Sequence, residues 1–282
     1  MKPIAVPQGS LPLMRDLIHE KLGIHYDHTR YELLLDKLLP LARAKQSISF
    51  LDYYYQLKYM GEDPDEWLKV MDALSVQETY FWREMDQVRA LIDIIVPKWF
   101  AQGMGPLRIW SAACASGEEP YTIAIALQEA GWAGHPIEIF ASDASQAALS
   151  KAAQGIYRER SFRSLPAELR TKYFQPVSEG SKLDPAIMAK IKFKRANLVR
   201  EEEIAPMAKS PIIFCRNVFI YFSPETIRRT VHSFARNMPG TGYLFVGASE
   251  SLLKLTTDFE LQELGNAFTY LKKAPVSPER AS

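Results

Sequence analysis

The chain has 282 residues, of which 47% are hydrophobic and 24% are charged, as is usual for a soluble globular protein with one large and one small domain. Its 34 lysines and arginines nearly balance 33 aspartates and glutamates, so the net charge of +1 gives no overall attraction to nucleic acid or to anionic lipid. No uncharged apolar run is long enough to span a membrane, and no apolar signal segment is seen at the start of the sequence. The two cysteines, Cys114 and Cys215, predict reduced, buried thiols of a cytoplasmic protein rather than a disulfide scaffold or a metal site.

The first 75 residues are predicted to form a helical domain. Apolar side chains from Met14 to Leu22 recur at helical spacing, between a candidate cap at Ser10 and a stop at Gly23. A second helix is expected over Tyr31–Lys45, kinked or split by Pro40. Two further helical segments are predicted, over Ser49–Met60 and Pro64–Leu74.

The second region, 76–274, changes to an alternating pattern. It begins with a long amphipathic helix from Val88 to Trp99. Strands and helices then alternate over Leu107–Ala112, Glu118–Ala130, Ile137–Ala141 and Ser145–Ala153. This β-α-β-α order predicts an α/β fold with a parallel sheet covered by helices on both faces.

The alternation stops at 155, and the polar stretch 155–197 is predicted to be a small inserted β subdomain. Its extended pieces are expected at Lys172–Val177 and Ile191–Lys194. The sheet is predicted to resume with Pro211–Cys215, Pro224–Asn237, Tyr243–Gly247 and a closing antiparallel pair within Asp258–Lys272. The last residues, 275–282, are predicted to be a flexible tail.

The loop after the first predicted strand has small residues at alternate positions, Ala113, Ala115 and Gly117. Small residues let a ligand approach the backbone and the N-terminus of the next helix. Glu118 and Glu119 follow at once, and two carboxylates repel a phosphate but suit a cationic ligand. Taken alone, the two acids are better explained as favourable charges at a helix N-terminus.

Polar residues also follow two other predicted strands. Asp143 ends the second strand, where an acidic side chain typically binds the ribose hydroxyls of an adenosine ligand. Alternatively, Asp143 or Ser145 is simply the N-cap of the next helix. Arg216 and Asn217 end the apolar strand before them, and packing does not explain such a pair at the edge where an open α/β sheet binds its ligand.

Three segments in fixed order, Gln77–Glu84, Ala113–Tyr121 and Phe214–Phe222, resemble the chemotaxis-receptor methyltransferases of bacteria, the CheR type. The resemblance extends from about Leu13 to Leu271, and the run Gly117–Tyr121 matches the family motif at each residue. It implies a Rossmann-like sheet with an N-terminal helical domain and an inserted β subdomain. It also implies S-adenosyl-L-methionine as the cofactor and S-adenosyl-L-homocysteine as the product.

The resemblance assigns functional roles to individual residues. Cofactor contacts are implied for Gln77, Thr79, Arg83, Gly117, Glu118, Glu119, Asp143, Asn197, Leu198, Arg216 and Asn217. Catalytic roles are implied for Arg83 and Arg216, one or the other of which would steer an incoming carboxylate, and for Tyr221, whose hydroxyl would lie near the reactive methyl. Gln77 replaces the usual Asn, and Ala144 begins a departure from the usual Ile-Asp pair.

The family methylates glutamate side chains on chemoreceptor signalling helices during adaptation. A glutamate has a reference pKa of about 4.3 and is ionised at neutral pH, so it attacks a sulfonium methyl without a general base. None of the five histidines lies in a matched motif, and they are interpreted as structural or exposed. Two alternatives stay open: methylation of another carboxylate acceptor, and a cofactor-binding regulatory module without turnover.

The implied partners are the cytoplasmic domains of methyl-accepting chemoreceptors. The family recognises acidic receptor helices with basic residues of the helical domain, near Lys37, Arg43 and Lys45 in this chain, although a solvated helix face is an equally good interpretation. We expect a monomer that binds no nucleic acid and does not insert into the membrane.

Overall fold

The computed structural model describes residues 4–59 and 63–272, and the predicted tail lies outside them. The N-terminal part consists of α1 (Ser10–Leu22), α2 (Tyr31–Ala44), α3 (Phe50–Tyr59) and α4 (Pro64–Leu74). These helices enclose a hydrophobic core of their own, which contains Met14, Leu34 and Phe50 with no exposed surface. The four predicted helical segments therefore pack around a shared hydrophobic cluster.

Two details of these helices differ from the sequence-based expectation. Ser10 is the first helical residue rather than the cap, which is Gly9, and the Ser10 hydroxyl donates to the carbonyl of Pro7 at 2.7 Å. Pro40 lies inside α2, which is not split. Gly23 ends α1 as predicted, with a φ of 78° that a residue without a side chain adopts easily.

A second helical stretch leads into the sheet. It is built from α5 (Met85–Ala90), a π turn over Leu91–Ile95 and α6 (Val96–Ala101). The π turn ends two residues before Pro97, which has no N–H to donate to the helix. The predicted amphipathic helix is thus present, with a local change of pitch.

The remaining elements follow in chain order. The strands are β1 (Leu107–Ala112), β2 (Ile137–Asp143), β3 (Ile156–Tyr157), β4 (Phe174–Val177), β5 (Gly180–Leu183), β6 (Ile191–Arg195), β7 (Ile212–Cys215), β8 (Tyr243–Phe245), β9 (Phe259–Leu264) and β10 (Ala267–Lys272). The helices are α7 (Glu118–Glu129), α8 (Gln146–Gln154), α9 (Ala167–Tyr173), α10 (Pro185–Met188), α11 (Glu201–Ala208) and α12 (Pro224–Asn237).

Seven strands form one sheet in the order β6-β2-β1-β7-β8-β10-β9. The first five are parallel, and β10 runs antiparallel to both β8 and β9. Ile109 and Trp110 of β1 belong to separate cores on the two faces of the sheet, and helices cover both. The predicted α/β class is confirmed, and the strand order reverses between β1 and β7, where such sheets bind ligands.

The small antiparallel sheet has the order β3-β5-β4. The segment Ile191–Lys194, which the sequence analysis assigned to this subdomain, lies instead in β6 and pairs in parallel with β2 at the edge of the large sheet. The subdomain packs on the segment before α5 through Phe81. The centre of the Phe81 ring lies 5.7 Å from that of Phe162, on which it stacks, and 5.0 Å from that of Phe174. Across residues 4–59 and 63–272, no helix is both long and apolar enough to cross a membrane.

Candidate active site

Two adjoining cavities lie at the carboxyl ends of the parallel strands. They share Val76, Ala113, Ala115 and Asn217. The first cavity lies between the helical domain and the sheet and is lined by Tyr26, Arg30, Met71, Gln77, Asp143, Asn197, Leu198 and Tyr221, among others. The second is lined by Glu78, Thr79, Tyr80, Arg83, Cys114, Glu119, Thr122 and Arg216, among others.

The loops around these cavities hold backbone conformations that are costly for residues with side chains. In the described part of the chain, seven non-glycine residues have positive φ, and five of them lie in the site segments. These five are Trp82, Glu84, Ala113, Ala115 and Asn217. Strain of this kind persists where the surroundings enforce it, and it is concentrated at functional sites.

Asp143 holds one strained loop in place. Its carboxylate accepts the backbone N–H groups of Ala115 and Ser145, both at 2.8 Å. Ser145, rather than Asp143, is the N-cap of α8 and accepts from Ala148 at 3.0 Å. Burial raises the pKa of Asp143, while the backbone donors oppose that shift. Because a carboxylate has about four acceptor positions, Asp143 can hold the loop and still bind a ligand hydroxyl in the first cavity.

Arg216 lies at the centre of a buried ion network. Its Nη1 lies 3.3 Å from Glu119 and its Nη2 lies 3.2 Å from Glu84, while Nη2 also donates to the carbonyl of Arg83 at 2.8 Å. The Arg216 side chain is only 2% exposed, and its Nε has no hydrogen-bond partner among the residues that the structure describes. A buried donor without a partner, in a side chain that lines a cavity, is suited to a ligand acceptor.

The two consecutive acids of α7 have different surroundings. Glu119 lines the second cavity and accepts from Ser111 at 2.6 Å, whereas Glu118 lines neither cavity and accepts from Ser116 and Ser161. Neighbouring helical residues point about 100° apart, which separates the two carboxylates. Burial raises the pKa of both groups, and Arg216 opposes the shift at Glu119.

Gly117 also lines neither cavity, and its importance is conformational. Its φ is 92°, and a Cβ atom at this position would lie 2.8 Å from that of Ala152. The loop therefore needs glycine for its backbone angle and for its close packing on α8.

Arg83 and Thr79, for which the resemblance implied cofactor contacts, line the second cavity. Arg83 donates to the carbonyl of Glu78 at 2.9 Å and lies 5.4 Å from the centre of the Tyr80 ring. Its side chain is 25% exposed, so it is much more accessible than Arg216. Gln77 lines the first cavity and accepts from Lys151 at 2.9 Å.

The first cavity also contains Asn197, Leu198 and Tyr221. The Asn197 amide donates to the carbonyl of Lys21 and accepts from Val199, so it joins α1 to the sheet. Leu198 supplies an apolar wall. Within the described ranges, the Tyr221 hydroxyl has no hydrogen-bond partner, and burial raises its pKa.

Several residues of the site were missed by the sequence analysis. Glu250 accepts backbone N–H groups from Asn217, Gly247 and Ile220, at 2.8, 2.7 and 3.3 Å. Glu84, at the end of the first motif, accepts from the backbone of Ala248 as well as pairing with Arg216. The available signals were the position of Glu84 in the first matched segment and that of Glu250 within the wider resemblance, which extends to about Leu271.

The helical domain supplies a wall that no motif indicated. His25, Tyr26, Arg30 and Lys37 line the first cavity, and the backbone N–H of His25 donates to the carbonyl of Tyr221 at 2.8 Å. His25 was interpreted as structural or exposed; it is exposed and also lines the cavity.

A family model described as the CheR methyltransferase SAM binding domain matches residues 77–268. The chain belongs to the CheR methyltransferase family. This confirms the resemblance drawn from the three motifs, and it makes the protein an enzyme that uses S-adenosylmethionine.

Two relatives match nearly the whole chain. Chemotaxis protein methyltransferase 2 of Vibrio cholerae serotype O1 is 34% identical over 277 residues, which cover 96% of each chain. The chemotaxis protein methyltransferase of Borreliella burgdorferi is 30% identical over 257 residues, which cover 88% of this chain and 90% of that one. Among solved structures, magnesium protoporphyrin IX methyltransferase from Synechocystis PCC 6803 with bound SAM is 14% identical, covers 77% of this chain and 91% of that one, and has a TM-score of 0.35.

Proposed function

We propose that this enzyme methylates glutamate side chains on the signalling helices of chemoreceptors in the cytoplasm and produces glutamate methyl esters. The observation that carries the proposal is the pair of cavities joined at Ala113, Ala115 and Asn217. One cavity has an acid suited to ribose, and the other has a carboxylate and an arginine suited to an amino acid. The names of the relatives support a chemotaxis protein as the substrate.

The side chains that line the two cavities fit the two halves of the cofactor. Asp143 would bind the ribose hydroxyls, with Asn197 and Leu198 beside the adenine. Glu119 would bind the ammonium group, and the unpaired Nε of Arg216 would donate to the carboxylate of the methionine part. When bound, S-adenosylmethionine supplies a methyl group on a positively charged sulfur.

Substrate handling falls to Arg83 and Tyr221. Arg83 would orient the incoming carboxylate, because it is accessible while Arg216 is enclosed between two acids. The cavity that Arg83 lines adjoins the cavity that Tyr221 lines. The free hydroxyl of Tyr221 would orient the transferred methyl.

The reaction needs little more from the protein. The acceptor carboxylate is already ionised at neutral pH, so no side chain has to remove a proton. Rate enhancement would come from alignment of the two reactants and from removal of water around the carboxylate.

The test is methylation of a purified receptor cytoplasmic domain with cofactor that carries a labelled methyl group. We expect base-labile label on receptor glutamates, and its loss when those glutamates are replaced by alanine. A control reaction contains small carboxylates in place of the receptor. Label on small molecules alone would overturn the proposed substrate, and tight cofactor binding without transfer to any acceptor would indicate a regulatory module.

A further inference from the structure

A strongly basic surface lies beside the second cavity, on the small subdomain. Arg158, Arg160 and Arg163 are all exposed, on and around the short 3-10 turn Glu159–Phe162. We call these three residues and Arg83 the arginine rim. Contacts join the turn to the segment before α5, which contains Arg83.

The turn and the cavity wall are fixed to each other. The backbone N–H of Phe81 donates to the carbonyl of Ser161 at 2.9 Å, and the Phe81 ring stacks on Phe162. Phe81 and Phe162 are buried, so the turn is held on a packed base. The backbone of the turn therefore has a defined position beside the segment that forms the wall of the second cavity.

Tyr80 contacts two arginines of the rim and also lines the second cavity. The guanidinium carbon of Arg163 lies 3.7 Å from the centre of the Tyr80 ring, and that of Arg83 lies 5.4 Å from the same centre. Tyr80 lines the second cavity together with Arg83. One aromatic ring thus connects an arginine of the subdomain with the arginine that would orient the substrate carboxylate.

The positive charge of the rim exceeds the negative charge beside it. Glu159 is paired with Arg170, and Glu78 is paired with Arg163 at 2.7 Å. Arg158 and Arg160 have no ion-pair partner among residues 4–59 and 63–272. Arg163, Arg160 and Arg83 together lower the pKa of Glu78, so their fields converge on this exposed carboxylate.

We propose that the arginine rim binds acidic side chains that flank the target glutamate on the substrate helix, an inference that rests on the proposed function. Residues three or four apart on a helix lie about 5–6 Å from each other, so one helix can place a glutamate in the cavity and present others to the rim. Glu78 marks the position of such a carboxylate on Arg163 and would be displaced from it. Three of the rim arginines lie on the small subdomain and Arg83 lies on the segment before α5, apart from the basic residues of the helical domain.

The kinetic test compares two charge reversals with the complete chain. Arg160→Glu changes the rim, and Lys209→Glu places the same new carboxylate at an exposed position just before β7, at the opposite end of that strand from Arg216. We expect Arg160→Glu to raise the receptor KM about fivefold at low salt, with kcat and cofactor affinity unchanged, because rim charges act mainly on encounter. The difference should shrink at high salt. Equal receptor KM values for the two variants would overturn the proposal.

A binding test separates this inference from the proposed function. It uses a helical peptide with three glutamates on one face, and a matched peptide with glutamines at those positions. The wild type should bind the acidic peptide several-fold more tightly, and Arg160→Glu should remove that preference. If the acidic peptide is preferred but the receptor is not methylated, the proposal for the arginine rim is supported and the proposed substrate is wrong. If the receptor is methylated but the acidic peptide is not preferred, the proposal for the arginine rim is overturned and the proposed function is supported.

Discussion

The buried guanidinium of Arg216 lies 3.3 Å from the carboxylate of Glu119. The two residues come from different parts of the sheet edge: Arg216 follows β7, and Glu119 lies in the first turn of α7, the helix that follows β1. Burial raises the pKa of Glu119, and Arg216 opposes that shift. Both side chains line the second cavity, where the Glu119 carboxylate would meet a ligand cation.

Glu119→Gln is expected to weaken binding of both S-adenosylmethionine and S-adenosylhomocysteine by about 1.5–3 kcal/mol, the range for a hydrogen bond to a charged group. Both molecules carry the same ammonium group, so both should lose affinity. Glu118→Gln is the matched control, because it makes the same chemical change one residue earlier and outside both cavities. Calorimetry measures the two affinities, and equal losses in the two variants would contradict the assignment.

Glu118 should make stability depend on pH. Burial raises its folded-state pKa above the unfolded value, so the folded protein binds the proton more readily. Its contribution to stability is therefore greatest below the unfolded pKa and is lost as pH rises through the folded pKa. Denaturant unfolding of wild type and Glu118→Gln from pH 4 to 8 should show the wild type losing stability relative to the variant as pH rises. A constant or rising difference would contradict this.

Asp143→Ala is expected to weaken cofactor binding by about 1–3 kcal/mol, because it leaves polar partners unpaired. It should also lower thermal stability, since Ala115 and Ser145 lose their acceptor. Asp72→Ala is the control: Asp72 accepts from the Ser145 hydroxyl at 2.6 Å, yet it does not line the cavity. If the two variants lose equal cofactor affinity, Asp143 acts through the loop and not through the ribose.

Tyr221→Phe should lower turnover and leave cofactor affinity nearly unchanged, because its hydroxyl is expected to act in the transition state. Tyr26→Phe removes a hydroxyl from the helical-domain wall of the same cavity and should methylate at the wild-type rate. Single-turnover kinetics with saturating cofactor and receptor distinguishes the two. A wild-type rate for Tyr221→Phe would make Tyr221 one more packing aromatic.

Glu250→Gln should lower both turnover and the unfolding temperature. The carboxylate accepts three backbone N–H groups and holds Asn217 at a φ of 59°. An amide replaces one acceptor oxygen with a donor, which we expect to cost about 1–3 kcal/mol of unfolding free energy. Glu263→Gln, exposed on β9, should change neither quantity. Unaltered thermal unfolding of Glu250→Gln would show that other contacts hold the loop.

Local patterns were enough to predict most elements of this fold. The sequence-based bounds of α4, β1 and α12 agree with the structure at both ends. In α4 and α12 the signals are adjacent in the chain: Asp63 and Ser223 cap helices whose first residue is proline. The motif loops also fall at strand ends, because strand, small-residue turn and helix follow one another directly in the sequence.

The sequence by itself therefore determined the family, the cofactor and the order of elements, which depend on neighbouring residues and on matched motifs. Only the tertiary structure decided which of Glu118 and Glu119 faces a cavity, and that Ile191–Arg195 joins the large sheet. It also decided that Arg216 is enclosed by Glu84 and Glu119. In each case the feature depends on a contact with a residue that is distant in sequence. The direction of a helix or the pairing of strands creates that contact, and a local sequence pattern contains no information about it.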